Sequence, residues 1–411
     1  MQLAQQIKIK PTKKQEKILL ELSEKCRLLY NFALQERRKS FEQNKKHIFY
    51  LKQQNDLPKI KNKFPEYRWV YSKVLQYTLR ILDADYKSFF ALWKKGDKKA
   101  RLPKFKGKKY FTTMVFNQSG FKHKKGFIEL SHKYPSNIKL LFKIPEKFYF
   151  KKIYQIMIYK KDGEYHLSVI YEKQEKGYRD NKLYQAFDLG ATKHTAINNK
   201  GRCINFKNER PDKHWEKTIT EIQSRRDHCK KESRKWNKLH KILAKCKRKS
   251  TNQLKDFQHK LSRKIIDNTK ANTIVVGKLE TKKLSQKNKY AKGLNKSLYN
   301  TGNISRFVRF LTYKAKLIGK RVIEINERYT TKKCCCCGNE KEMPLYKRIY
   351  KCDCGNVIDR DENSAINILL RYLSTNGLWT AYQQFIGNLR QTGLTIKVRH
   401  SQEAITSKLR F

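Results

Sequence analysis

Two groups of side chains in this chain have types and spacings that could do chemistry. Cys334-x2-Cys337-Gly and Cys352-x-Cys354-Gly form two knuckles joined by a short loop. Zinc imposes no geometry of its own, and four thiolates from two tight turns satisfy it tetrahedrally. The second knuckle has only Asp353 between its cysteines, and Cys335 and Cys336 crowd the first. Spacing therefore leaves open which of Cys334 to Cys337 ligate. The second group is acidic. Asp188 closes the apolar run YQAFD, and Asp361 stands in IDRDEN at the start of a helical pattern. Taken singly, Asp188 reads as a turn residue and Asp361 as a helix N-cap. Together, at strand and helix ends, they could hold divalent metal for in-line attack on a phosphodiester.

The elements that must position these groups follow from periodicity. QIKIK alternates as a strand, and Thr12 with Gln15 has capping-box spacing ahead of Ile18, Leu19, Leu22, Cys26 and Leu29. A second helical pattern runs from Val74 to Trp93 and stops before Gly96. From about 110 to 174 the period becomes two, and Asp162-Gly163 is a hairpin signal. The first strand is expected to join that sheet and complete a β-barrel interrupted by the helical module. Beyond 180, strands alternate with helices, which implies an α/β layer with a largely parallel sheet. The stretch from about 212 to 270 reads as very basic and helical, TIVVG and RVIEIN as strands, and DENSAINILLRYL as the last helix.

Composition names the partner. Against 36 Asp plus Glu stand 95 Lys plus Arg in 411 residues, a formal net charge of +59. Such an excess needs a polyanion, and its spread through apolar-periodic segments places it on folded domains with a long nucleic-acid track. Lys104, Lys106, Lys108, Lys109, Arg225, Arg226, Lys245, Lys247 and Arg248 are candidate contacts, with Tyr110 and Phe111 as candidate stacking residues. Each reads singly as solvated lysine or core aromatic. No apolar run approaches a membrane span, and the first residues lack a signal peptide's apolar stretch. Six of the ten cysteines lie between 334 and 354, which favours a metal in a reducing compartment over a disulfide framework.

Several segments, in order, resemble TnpB, the transposon-encoded RNA-guided nuclease: PTKKQEKILLELSEKCRLLYNFAL, FDLGATKHTAI, QLKDFQHKLS, TTKKCCCCG and CDCGNVIDRDENSAINIL. The resemblance implies an α+β multidomain protein. A wedge β-barrel (1–11 and 106–180) would be interrupted by a helical recognition module (12–105). An RNase H-like, RuvC-type nuclease domain (181–333 and 357–373) would carry a zinc ribbon (334–356), with a C-terminal tail (374–411). It further implies a guide non-coding RNA from the element, a double-stranded DNA target, two Mg²⁺ ions, one structural Zn²⁺ and a monomeric ribonucleoprotein. In a eukaryotic or viral setting the nucleus is the expected location.

One departure decides how the resemblance is read. TnpB proteins place a catalytic Glu directly after the strand that reads TIVVG here, where this chain has Gly277. The Fanzor relatives of TnpB lose that Glu and place one just before the T-S-x-x-C segment, and INERYTTKKC offers Glu327 there. Parallel strand ends share one crevice, so Glu327 could approach the volume left at Gly277. Glu280, just past the strand, and Glu324, inside the next one, compete for the role. The expected site is Asp188, Glu327 and Asp361 for Mg²⁺, with Cys334, Cys337, Cys352 and Cys354 for zinc. The alternatives are a nuclease-inactive RNA-guided DNA-binding protein and a plain RNA-binding structural protein.

Overall fold

The structure is a computed structural model, and it describes residues 1–124, 126–278, 303–344 and 346–394. Glu280 and the end of the expected tail lie outside the described residues. The chain divides into two compact units, residues 1–174 and 175–411.

In the first unit, β1 (Gln2–Ile9) leads into α1 (Lys13–Asn44). Thr12 caps α1 reciprocally: its hydroxyl accepts from the Gln15 N–H while the Gln15 side chain accepts from the Thr12 N–H. Short helices α2 (Tyr50–Asn55) and α3 (Leu57–Lys63) precede the long α4 (Ser72–Lys94). Strands β2 (Met114–Asn117), β3 (Phe121–Lys124), β4 (Phe127–Leu130), β5 (Leu140–Lys143), β6 (Ile153–Lys161) and β7 (Glu164–Glu172) follow. The first strand does join them. β1 pairs antiparallel along β7, giving one sheet in the order β1-β7-β6-β2 and a second in the order β3-β4-β5. Both sheets and the inner faces of α1 and α4 bury one apolar core containing Leu19, Leu79, Phe116, Phe142 and Leu167. Asp162 and Gly163 at the β6–β7 turn both take positive φ, the two-residue conformation that matches strand twist.

The second unit is built on a five-stranded sheet: β8 (Tyr184–Leu189), β9 (Lys193–Asn198), β10 (Cys203–Lys207), β11 (Thr273–Lys278) and β12 (Arg321–Asn326). Its order is β10-β9-β8-β11-β12. The β8–β9–β10 half is antiparallel, because its turns are too short for a crossover, whereas β8, β11 and β12 run parallel. The basic stretch is two helices, α5 (Glu216–Asp227) and α6 (Arg234–Asn268), the second capped by the Ser233 hydroxyl. The remaining helices are α7 (Ile304–Leu317), α8 (Arg360–Thr375) and α9 (Trp379–Gln391), and β13 (Ile349–Lys351) pairs with β14 (Val357–Asp359) beside the cysteines. Residues 379–391, read from the sequence as tail, bury Tyr382, Phe385, Ile386 and Leu389 against the sheet.

Strand alternation sorts the sheet's two faces. Tyr184, Ala186 and Val275 pack on the α8–α9 side together with Ile323 and Ile325. Phe187, Leu189, Ile274, Val276 and Val322 pack on the α6–α7 side. With a period of two, Asp188, Gly277 and Glu327 fall on the α8 side, and Glu324 falls on the other.

Candidate active site and metal centre

Three parallel strand ends and one helix start deliver the acidic group. Asp188 stands near the end of β8, and Glu327 stands one residue beyond β12. Between them lies β11, with Val276 opposite Phe187 and Gly277 opposite Ile325. Glu327 on the edge strand must therefore cross β11 to approach Asp188, and Gly277 is what leaves the path open. A Cβ at position 277 would lie 3.1 Å from the Glu327 Cβ and 3.2 Å from its Cδ, with Oε2 nearer still.

Asp361 arrives from α8. Asp359, not Asp361, caps that helix, its carboxylate accepting from the N–H groups of Asp361 and Glu362 at 2.9 and 3.2 Å, which leaves the Asp361 carboxylate free of the capping role. One turn on, Ser364 hydrogen-bonds the Asp188 carboxylate. The Ser364 hydroxyl is also 3.1 Å from that of Thr330, which donates to the Glu327 carbonyl at 2.9 Å. Asp188 and the backbone of the turn carrying Glu327 thus both meet α8 at Ser364, one turn after Asp361. Cations gather round Asp361: Arg360 at 3.2 Å, Lys193 at 3.7 Å and Arg348 at 3.9 Å. Glu324, by contrast, is exposed.

The site is electrostatically loaded. Burial first, then the Glu327 and Asp361 charges, push the Asp188 carboxyl from its ordinary 3.8 up to about 8. Burial pushes Glu327 up to about 7. Hard carboxylate oxygens crowded against their own repulsion are a donor set that suits Mg²⁺. They are set more widely than the thiols, which alone among the described residues bring a group of candidate ligand atoms within 4.8 Å of one another.

The folded state holds the Asp188 proton more tightly than the unfolded chain, so metal-free stability falls as pH rises from about 4 towards about 8. Asp188→Asn should flatten that decline in melting temperature. Added Mg²⁺ should raise the wild-type melting temperature more at pH 8 than at pH 5 and leave the variant unmoved; equal shifts in both proteins would count against the site.

In the knuckles, Cys334 Sγ lies 3.8 Å from Cys354 Sγ, and Cys337 Sγ lies 3.5 Å from Cys352 Sγ. Tetrahedral Zn–S bonds of about 2.3 Å require sulfurs roughly 3.8 Å apart, so these four thiols could hold zinc with little movement. Without metal the thiols differ: hydrogen bonds from Cys336 and the Asn356 amide lower the pKa of the Cys334 thiol, whereas burial raises those of Cys337 and Cys352. Cys335 and Cys336 are buried, and the Cys335 N–H donates to Asn363 of α8 at 2.9 Å. Asn363 and Asn367 in turn donate to the Lys333 carbonyl, tying the first knuckle to the helix that carries Asp361. Zinc content should fall in Cys337→Ser and persist in Cys335→Ser and Cys336→Ser, as read by metal analysis of the purified proteins.

Sequence reasoning missed the supporting residues Lys193, Thr330, Asp359, Arg360, Asn363 and Ser364. One signal was available: Asp361 and Ser364 are three apart on a helix and so share a face.

With the geometry set out, comparison with known proteins adds three matched segments: a helix-turn-helix domain of the OrfB (IS605) type over residues 1–46, a probable transposase of the same type over 168–288, and the TNB domain of Cas12f1-like proteins over 305–368. The first covers a strand and one long helix in this chain. A mimivirus protein named TnpB-like protein L79 is 38% identical over 139 residues, 33% of this chain but only 26% of its own length. A putative RNA-guided DNA endonuclease of Streptomyces pristinaespiralis is 25% identical over 85% of this chain and 84% of its own. The fold is similar to that of the protein in a Cas12f1–sgRNA–target DNA complex, with TM-score 0.57, 16% identity and coverage of 87% and 83%. It is also similar to that of the mini RNA-guided endonuclease Cas_phi3, with TM-score 0.54, 9% identity and coverage of 90% and 92%. No helix among the described residues is long and apolar enough to cross a membrane.

Proposed function

We propose that this chain, which carries the OrfB/TnpB-type and Cas12f1-like segments in their chain order, is an RNA-guided DNA endonuclease with a rearranged RuvC-like site of the Fanzor kind. Residues 1–11 and 106–180 form its wedge, 12–105 its recognition module, 181–333 with 357–373 its nuclease domain, and 334–356 its zinc ribbon. It works as a monomeric ribonucleoprotein, with sequence read by guide pairing and the protein reading backbone shape and a short adjacent motif.

Asp188, Glu327 and Asp361 are the residues that would hold two Mg²⁺ ions, which when bound supply a deprotonated water and neutralise charge on the leaving oxygen. The chain's own groups do the rest. Ser364 orients Asp188, Thr330 fixes the turn that presents Glu327, and the Asp359 cap sets the first turn carrying Asp361. Lys193, Arg348 and Arg360 offer positive charge beside Asp361, where a scissile phosphate would need it.

The observation that most supports this reading is the Glu327 side chain lying over the bare backbone of Gly277, on the sheet face shared with Asp188. That placement also weighs against the silent-domain alternative, which takes the missing carboxylate at 277 as lost. The test is to express the protein with its flanking locus, sequence the RNA that copurifies, and incubate the complex with matched DNA and Mg²⁺. Cleavage that follows a reprogrammed guide is expected. Guide-directed binding without cleavage would leave the DNA-binding alternative, and indifference to the guide would leave a general RNA-binding protein.

A further inference from the structure

α4 runs out of core before it runs out of aromatic residues. Its buried stripe ends at Leu82, yet Phe90 and Trp93 follow in its last turns and remain exposed. Trp93 is 65% exposed. The end of α1 brings Phe41 alongside, and the segment after α1 adds His47 and the 68%-exposed Phe49. Phe41 and His47 have ring centroids 5.0 Å apart, and Tyr86 and Phe90 stack at 6.3 Å. Together they line a recess of about 540 Å³. Scattered exposed apolar residues need no explanation, but a contiguous aromatic cluster does.

Charge selects the occupant. Arg37, Arg38 and Lys87 stand in the wall, and Lys45 lies over the Phe41 ring at 5.5 Å. Of the acids there, Asp83 is already bonded to Arg37 at 3.2 Å and Lys87 at 3.1 Å, and Glu42 is the other. From Lys94 at the end of α4 the chain reads KKGDKKARLPKFKGKK, nine Lys or Arg in sixteen residues against one Asp. A second copy of a protein with net charge +59 would be repelled from such a rim. A polynucleotide is attracted to it, and its bases have flat apolar faces that stack on aromatic side chains. Paired bases hide those faces inside the helix, so the recess suits splayed, unpaired ones.

We infer that the aromatic recess between the ends of α1 and α4 is a stacking site for unpaired nucleobases of a bound polynucleotide. The inference deepens the proposed function, since it says how the helical module holds single-stranded nucleic acid. Backbone phosphates bind the lysines and arginines of the rim, and at least one base enters against Trp93, Phe49 and Phe90.

The test uses the full chain, stripped of copurifying RNA at high salt, in Mg²⁺-free buffer with short oligo(rU), oligo(dT) and a hairpin duplex. Trp93→Ala is expected to weaken single-strand binding about ten-fold. Because stacking carries no charge, the salt dependence and the duplex affinity should not change, and Trp93→Phe should recover most of the loss. Preference for oligo(rU) would assign the strand to RNA, and preference for oligo(dT) to DNA. Unchanged single-strand affinity, or equal weakening for duplex, would overturn the site. So would concentration-dependent dimerisation that Trp93→Ala abolishes, since a second copy would then fill the recess. A wild-type protein that shows Trp93-dependent binding yet never cleaves would sink the nuclease assignment and leave this site standing.

Discussion

Glu327→Ala is expected to abolish target cleavage while guide-directed binding persists. The carboxylate is the third acid of the proposed site, and its strand end faces Asp188 across Gly277. Groups that act on charge developing in the transition state cost at least about 100-fold when removed. Glu327 has a second signature in the metal-free protein: its charge helps hold the Asp188 proton in place. Glu327→Gln should therefore lower the Asp188 pKa as well as stop cleavage, a shift readable by carboxyl-selective NMR or by the pH dependence of melting. Full cleavage by Glu327→Ala on a matched target would remove this residue from the site.

Gly277→Ala is the complementary experiment, because it adds a group where the first removes one. The new methyl meets the Glu327 side chain well inside contact distance, at 3.1 Å from its Cβ and closer to its carboxylate. Either the carboxylate swings away, losing cleavage, or the fold absorbs the strain at about 1–3 kcal/mol. Deleting the Glu327 side chain should relieve that strain. In a double-mutant cycle on stability, Gly277→Ala and Glu327→Ala are expected to be non-additive by roughly 0.5–3 kcal/mol. The exchange Gly277→Glu with Glu327→Ala moves the carboxylate to the position the TnpB resemblance implies and should regain a measurable part of the cleavage that Glu327→Ala is expected to lose. Strict additivity, with the exchange as inactive as Glu327→Ala alone, would mean that the two positions do not share one volume.

Much of the frame is legible along the chain because it is local. The Thr12–Gln15 cap, the Asp162-Gly163 turn and the stop of α4 before Gly96 each depend on residues a few positions apart, and each appears where its chemistry places it. Periodicity marks 212–270 as helical without locating the break between α5 and α6, since basic residues on both sides of 228–233 conceal it. The end of the chain reads as tail from the sequence because α9 buries only a narrow stripe. The cysteines show the same limit: spacing leaves four thiols competing for the first knuckle, whereas the fold turns Cys334 and Cys337 to the common centre and ties the Cys335 backbone to Asn363.

The chain's order of residues was enough to fix which face Glu327 takes, since 323, 325 and 327 alternate with 322 and 324, and Ile323 and Ile325 are apolar. It could not fix what lies next to that face. Neighbours across a sheet are set by strand order, and β12 reaches β8 only because β11 sits between them with a glycine at the crossing point. Alternation is a property of a single strand's backbone. Adjacency is a property of how separate strands pair, decided by burial on both faces of the assembled sheet.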